Sequence, residues 1–339
     1  MSPRILIVGA GAIGGVTAAR MTHAGHDVSV LDANEAHVAR MREAGLIVDA
    51  PQGRITVVLD AYQSPDAITG RFDYALLMLK STALEPALAS LLSHELADTY
   101  VVFGNGLVQD VVEKMVGRDR MLVGITEWGA TNRGLGHVEQ TTVAPFIIGE
   151  PDGESSGRAI DLVGPLSSVA EVQVSDSVQD TVWTKLLLNS TFSGLGAVAG
   201  WTYREVVADP LGLPTALRLW TEAYDVALAR GARLQPLLGV DPQQLVVRTV
   251  DDQTAASAGV DAVMRHLGAT KASMLQDLER GAHTEAGVIN GGVVTTGESL
   301  GVPTPGHRAV VDWIRRCEQG TARPGRAGLA HVAASVGVA

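Results

Sequence analysis

Short unbroken apolar runs alternate with amphipathic stretches through the first half of the chain. The pattern predicts strands over 4–8 (RILIV) and 26–31 (HDVSVL), with helices over 13–24 and 34–44 behind them. Further apolar strands are expected over 74–78 (YALLM) and 100–103 (YVVF), followed by helices over 83–92 and 107–115. Continuous apolar strands separated by helices imply a parallel sheet covered on both faces. Residues 45–48 and 55–59 flank Pro51-Gln52-Gly53 and read as a hairpin insertion, while 121–125 and 146–148 read as late strands of the main sheet. From Ser177 onward the period is helical and strand signals nearly vanish. Gly231, Pro236, Gly239 and Pro242 mark one helix connection, and the GVPTP stretch at Gly301 marks another. The expected organisation is a doubly wound α/β domain over 1–175, an all-helical domain over 176–320, and a Gly- and Ala-rich tail over 321–339 with little periodicity.

Composition narrows the class of function. The chain has 339 residues, with 37 acidic and 26 basic side chains and a net charge of −11. That balance argues against general binding to nucleic acid or anionic lipid, although a local pocket can differ in sign from the whole. No apolar run approaches the ~18 residues that span a bilayer. Glycines interrupt the first apolar run too early for a signal peptide, so a cytoplasmic protein is expected. A single cysteine, Cys317, excludes an intramolecular disulfide and a cysteine-cluster metal site. The nine histidines show no ligand spacing, and no metal is expected.

The first chemical signature is Gly9-Ala10-Gly11-Ala12-Ile13-Gly14, a GxGxxG pattern that leaves a strand and opens a helix. Gly9 permits the tight turn, Gly11 admits a pyrophosphate to the main chain, and Gly14 lets helix and strand pack closely. The helix N-terminus supplies N–H donors and partial positive charge. Asp32 ends the second strand, 23 residues after Gly9. A carboxylate there accepts hydrogen bonds from ribose hydroxyls and repels a 2′-phosphate, so NAD is expected in preference to NADP. The plainer alternative is a tight turn with Asp32 capping the next helix.

Other polar residues allow more than one reading. Lys185 and Asn189 stand one helical turn apart, and Ser193 continues their stripe if the helix persists. A lysine among leucines either snorkels to the surface or faces a cleft, where it could protonate a carbonyl oxygen. Ser273 and Asp277 are one turn apart, and Glu285 reads as the start of another helix after Gly281. Lys80 and Asn105 follow apolar strands, at the carboxyl ends where open α/β sheets bind ligands. Asn105, between two glycines, fits turn chemistry equally well.

Taken together, the stretches IVGAGAIGG, LLMLKS, FGNGL, WTKLLLNS, SMLQDLERGAHTE and GVPTP resemble the ketopantoate reductase (2-dehydropantoate 2-reductase) family, from Ile5 to about Ile314. The resemblance implies an N-terminal Rossmann domain, a helical C-terminal domain, and hydride transfer between nicotinamide and a 2-oxo or 2-hydroxy acid. It implies that Lys185 is the general acid and that Glu285 is its catalytic partner at the substrate hydroxyl. Asn189, Ser193, Thr270, Ser273 and Asn105 would contact substrate. Gly9, Gly11, Ala12, Ile13, Gly14, Asp32, Lys80, Asn105 and Glu285 would contact the dinucleotide. A small-molecule carboxylate, ketone or alcohol is the implied substrate, and a homodimer the implied assembly. The chain departs from the family pattern at Ser193-Gly194, where Asn-Pro is usual, at Thr270, where an asparagine is frequent, at Glu285-Ala286-Gly287, where Glu-Ile-Asp is usual, and at Asp32, where the residue is commonly basic or neutral. The departures at Ser193 and Thr270 keep open an NAD-dependent dehydrogenase or reductase acting on another alcohol or ketone. The remaining alternative, a non-catalytic dinucleotide sensor, is opposed by the presence of Lys185, Asn189, Ser273 and Glu285 together.

Overall fold

The ILIV run becomes strand β1 (Ile5–Val8), with all four residues buried. The computed structural model describes residues 2–154 and 156–338, so positions 1 and 339, the outer ends of the expected domains, lie outside the described residues. Chain order continues through α1 (Ala12–His23), β2 (Val28–Leu31), α2 (Glu35–Glu43), β3 (Leu46–Asp49), β4 (Ile55–Val57), β5 (Asp60–Tyr62), β6 (Phe72–Leu77), α3 (Ser81–Ser93), β7 (Ala97–Phe103) and α4 (Gln109–Val116). It then passes β8 (Met121–Thr126), β9 (Ala130–Gly134), β10 (His137–Gln140), β11 (Phe146–Gly149), α5 (Gly157–Asp161), α6 (Val163–Ser167) and β12 (Val172–Val174). The helical half holds α7 (Val178–Leu188), α8 (Gly194–Ala199), α9 (Tyr203–Ala208), α10 (Gly212–Ala229), α11 (Val250–Leu267), α12 (Ser273–Glu279), α13 (Asn290–Leu300), α14 (Pro305–Glu318) and α15 (Arg326–Ser335). Two compact units result. One runs to Gly104 and resumes over Val108–Val178; the other comprises Asn105–Leu107 and the chain from Gln179.

The first unit is built on an eight-stranded sheet in the order β12-β11-β8-β7-β6-β1-β2-β5. β1 pairs in parallel with β2 on one side and with β6 on the other, which makes the carboxyl end of β1 the point where the strand order reverses. The late strands β8 and β11 join this sheet, with β11 antiparallel to β8. The hairpin expected over 45–59 forms as the antiparallel pair β3–β4, but it belongs to a separate four-stranded sheet, β4-β3-β10-β9. β9, β10 and β12 were not legible as strands, because their half-polar sequences carry no continuous apolar run. Helix α1 lies against the smaller sheet, where a Cβ on Gly15 would meet Val138 and Leu46.

The second unit is helical. Trp183, Phe192, Leu195, Leu219 and Trp220 are buried at its centre, with the Phe192 and Trp220 rings 6.3 Å apart. Two expectations need correction here. The segment expected as a tail over 321–339 contains α15, which packs on α8, α10 and α14. Alanine favours helix, and Leu329 and Val332, three residues apart, are both fully buried. Glu285 does not open a helix. It starts a turn in which the Val288 and Ile289 N–H groups return to the Glu285 carbonyl, and α13 begins only at Asn290. Among the described residues, no helix is long and apolar enough to cross a membrane, and no group of three or more His, Cys, Asp or Glu could hold a metal ion.

Candidate functional site

In the first unit the glycine turn follows the residues' separate roles. Gly9 has φ +93°, a left-handed conformation that a side chain would strain. A Cβ on Gly14 would stand 1.9 Å from the Gly9 carbonyl oxygen, so α1 can start this close to β1 only with glycine there. Gly11 differs, because a Cβ on it would meet nothing within 4 Å. It caps α1 without a side-chain hydrogen bond, leaving the helix N-terminus, with Ala12 and Ile13 in its first turn, open to an anion. That open space fits a pyrophosphate.

Asp32 does not cap α2; Asn34 does, its side chain accepting from the His37 N–H at 3.1 Å. The Asp32 carboxylate instead accepts from the Ala10 N–H at 2.7 Å and from the Asn34 N–H at 2.9 Å, which ties the glycine turn to the end of β2. A cavity of about 260 Å³ opens beside it, lined by Ala10, Gly11, Asp32, Asn34, His37, Asn132, Gly134 and Leu135. Whole-ligand pockets run to ~300–1,000 Å³, so this one suits a single moiety of a dinucleotide. No lysine or arginine is among the lining residues.

Asn34, His37, Asn132 and Leu135 were not anticipated as lining residues. His37 is buried between the two walls, with Nδ1 accepting from the Gly136 N–H at 3.0 Å and Nε2 lying 2.9 Å from the Ala10 carbonyl. A carbonyl can only accept, so Nε2 carries the proton and donates. His37 thereby latches the β9–β10 hairpin to the glycine turn. Lys80, the last expected residue of this half, is exposed and stands at the N-cap of α3, beyond the carboxyl end of β6.

The other expected residues all belong to the second unit. Trp183, Leu186 and Leu187 bury the apolar faces of α7, leaving Lys185 half-buried on the remaining face. The helix does not end after Leu188 but widens into a π-helical turn over Asn189–Ser193 before α8 begins. Such turns redirect side chains and are frequent at functional sites. Asn189 is half-buried, whereas Ser193 is buried with its hydroxyl hydrogen-bonded to that of Tyr203. Burial pushes the Tyr203 phenol up from its ordinary range, and the bond to Ser193 opposes that rise. The Tyr203 N–H donates to the Thr270 carbonyl at 3.2 Å, so Ser193 and Thr270 meet through one tyrosine. Ser273 is exposed, at the start of α12. Asn105 Nδ2 donates to Glu285 Oε2 at 3.3 Å, and the Leu107 N–H donates to the Val288 carbonyl at 2.9 Å. The Asn105 loop thus docks on the Glu285 turn.

Residues 5–153 match the family model described as ketopantoate reductase PanE/ApbA, and residues 177–318 match that for its C-terminal region. The chain belongs to the ketopantoate reductase family. A curated relative, 2-dehydropantoate 2-reductase of Archaeoglobus fulgidus, is 27% identical over 94% of this chain and 98% of its own. A solved PanE/ApbA-family ketopantoate reductase from Ralstonia eutropha JMP134 superposes with a TM-score of 0.80 at 23% identity, covering 94% of this chain and 99% of its own. D-mandelate dehydrogenase, solved with NADH and anilino(oxo)acetate, superposes with a TM-score of 0.79 at 22% identity, again over 94% and 99%. Membership makes this chain an oxidoreductase with a small-molecule substrate.

Proposed function

We propose that the chain interconverts a 2-oxo acid and a 2-hydroxy acid with NAD(H) as the cofactor. The observation that carries this reading is the Asn105–Glu285 hydrogen bond, which joins two expected site residues 180 positions apart in a chain of this family. The NADH complexes of D-mandelate dehydrogenase support a nicotinamide dinucleotide in this fold. Such a cofactor, when bound, exchanges hydride with the carbon that bears the reacting oxygen. Gly9, Gly11, Ala12, Ile13 and Gly14 would hold its pyrophosphate, and Asp32 its adenosine ribose. Lys80 and Asn105 would lie toward its nicotinamide end.

Lys185 carries a proton at Nζ, gives it to the substrate oxygen in reduction and recovers it in oxidation. An ammonium aimed at that oxygen stabilises most where negative charge develops. Glu285, held by Asn105, accepts from the substrate hydroxyl, and Asn189 and Ser273 position the substrate. The preference for NAD(H) is supported by Asp32, whose carboxylate is fixed by two backbone N–H groups beside a cavity with no basic lining residue. The domain roles follow: a cofactor domain over 1–175 and a substrate and dimerisation domain over 176–320.

A second reading, turnover of a ketone or alcohol other than ketopantoate, is favoured by Ser193. Its hydroxyl is already engaged by Tyr203, and Thr270 likewise offers no amide donor to a carboxylate. A panel of 2-oxo acids, 2-hydroxy acids and simple ketones, assayed with both cofactors, separates the readings. Efficient reduction of 2-dehydropantoate would sink the second. Lys185→Ala should lower kcat/KM by about 10²–10⁴ while NADH affinity, read by fluorescence titration, stays within twofold. Unchanged turnover would refute the assigned acid, whereas a wild-type chain that binds NADH but turns over nothing in the panel would be a dinucleotide sensor.

A further inference from the structure

A buried polar cluster of the second unit lies beside the expected site residues without including any of them. Asn290 opens α13 and is completely buried. Its Nδ2 lies 2.7 Å from the Ser190 carbonyl and 3.1 Å from His307 Nδ1. His307, on α14, is also completely buried, and its Nε2 lies 2.9 Å from the Leu219 carbonyl. Because a carbonyl only accepts, Nε2 carries the imidazole proton and Nδ1 is an acceptor. Asn290 therefore faces two acceptors, and both hydrogens of its amide nitrogen are used. The order of donors and acceptors fixes the orientation of the amide. Glu222 completes the support, its carboxylate accepting from the Gly306 and His307 N–H groups at the start of α14.

The placement of Asn290 gives this cluster a consequence for the site. Ser190 lies in the π-helical turn, next to Asn189 and five residues after Lys185. Asn290 itself stands five residues after Glu285, at the end of the turn that Glu285 begins. One side chain thus spans from the Glu285 segment to the Lys185 segment. Gly194 keeps the space for it, since a Cβ there would come within 2.9 Å of Asn290 Nδ2 and 3.0 Å of Oδ1. A buried donor that loses its acceptor is costly, so the two segments are held at one separation.

We propose that Asn290, oriented by His307, is a positioning residue that sets the Glu285 turn against the π-helical turn behind Lys185. The proposal rests on the reading of Lys185 and Glu285 as the acid and its partner. A displacement of ~1 Å at a reacting group can cost about 10²-fold in rate.

The test uses Asn290→Ala and Gly194→Ala in the full chain. Steady-state kinetics would use NADH and the 2-oxo acid turned over best in the panel, with melting temperature and NADH affinity measured in parallel. Gly194→Ala leaves Asn290 in place, favours helix by propensity and pushes the amide off Ser190. Both variants should lose kcat by about 10–100-fold, shift the pH profile of kcat, and keep NADH affinity within twofold. A folded variant with the wild-type kcat and pH profile overturns the proposal. If Asn290→Ala does not fold, Gly194→Ala decides. Loss of folding in Gly194→Ala as well would make the strut purely structural and overturn the positioning role. Failure of the underlying reading has a different signature, namely wild-type turnover in Lys185→Ala whatever the Asn290 variants do.

Discussion

At the scale of single residues, Asp32 carries two tasks with one carboxylate. It braces the glycine turn through the Ala10 N–H and presents negative charge to the neighbouring cavity. A carboxylate has about four acceptor sites, so the brace does not exhaust it. Two like charges ~4 Å apart repel by about 1 kcal/mol in water and about 4 kcal/mol in a partly dry site. Asp32→Ala should therefore lower the ratio of kcat/KM for NADH over NADPH by about tenfold or more, measured with one substrate. A ratio that does not move would show that the charge plays no part in cofactor choice. Asp32 was legible from its distance after the glycine motif. His37 was not, since nothing near it in sequence announces that its imidazole bridges Ala10 and Gly136. That bridge spans 99 positions between His37 and Gly136.

At the scale of elements, the β9–β10 hairpin and α15 show where periodicity misleads. The hairpin is half polar, yet it brings Asn132, Gly134 and Leu135 to the cavity beside Asp32. Leu135 is 57% exposed and its side chain borders that cavity. Leu135→Asp should weaken NADH binding by about tenfold, the scale of losing one apolar contact and adding a like charge near phosphate. The melting temperature should hold, because the side chain supports no core; equal NADH affinity in a fluorescence titration would remove the hairpin from the cofactor site. The end of the chain errs the other way. α15 lacks a broad apolar face, but Leu329 and Val332 are fully buried. Each such side chain contributes about 1.5–3 kcal/mol, so a chain ending at Pro324 should melt at a clearly lower temperature. A truncated chain that melts with the full one would mean that the helix adds nothing to stability.

At the scale of the whole molecule, the half-buried Glu222 and the fully buried His307 of the helical unit pull the pH dependence of stability in opposite directions. Burial raises Glu222 from 4.5 to about 7, against the two backbone N–H groups that favour its charge. The folded chain then binds more protons than the unfolded chain between pH 4.5 and 7, so stability falls as pH rises through that window. Burial lowers His307 from 6.5 to about 4. There the unfolded chain binds more protons between pH 4 and 6.5, so stability falls as pH drops through that window. Each shift is worth about 3 kcal/mol, and the two slopes cancel over most of their common range. Glu222→Gln removes one of them. Relative to the wild type, the variant should gain stability as pH rises from 4.5 to 7. On its own it should lose stability steeply from pH 6.5 down to 4. Parallel melting-temperature profiles for the two proteins would contradict this balance.

Local pattern alone determined the parallel strands, the glycine turn with Asp32, and the helix bearing Lys185 and Asn189. Each of these is written in contiguous residues, as an apolar run, a steric requirement for glycine, or a helical spacing. Only the folded chain decided that Asn105 meets Glu285, that β3 pairs with β10 in a second sheet, and that Asn290 reaches Ser190. Those contacts join residues roughly ninety to 180 positions apart, and the pairing of distant polar groups depends on how whole helices and sheets pack. No periodicity along the chain encodes which buried donor will find which acceptor.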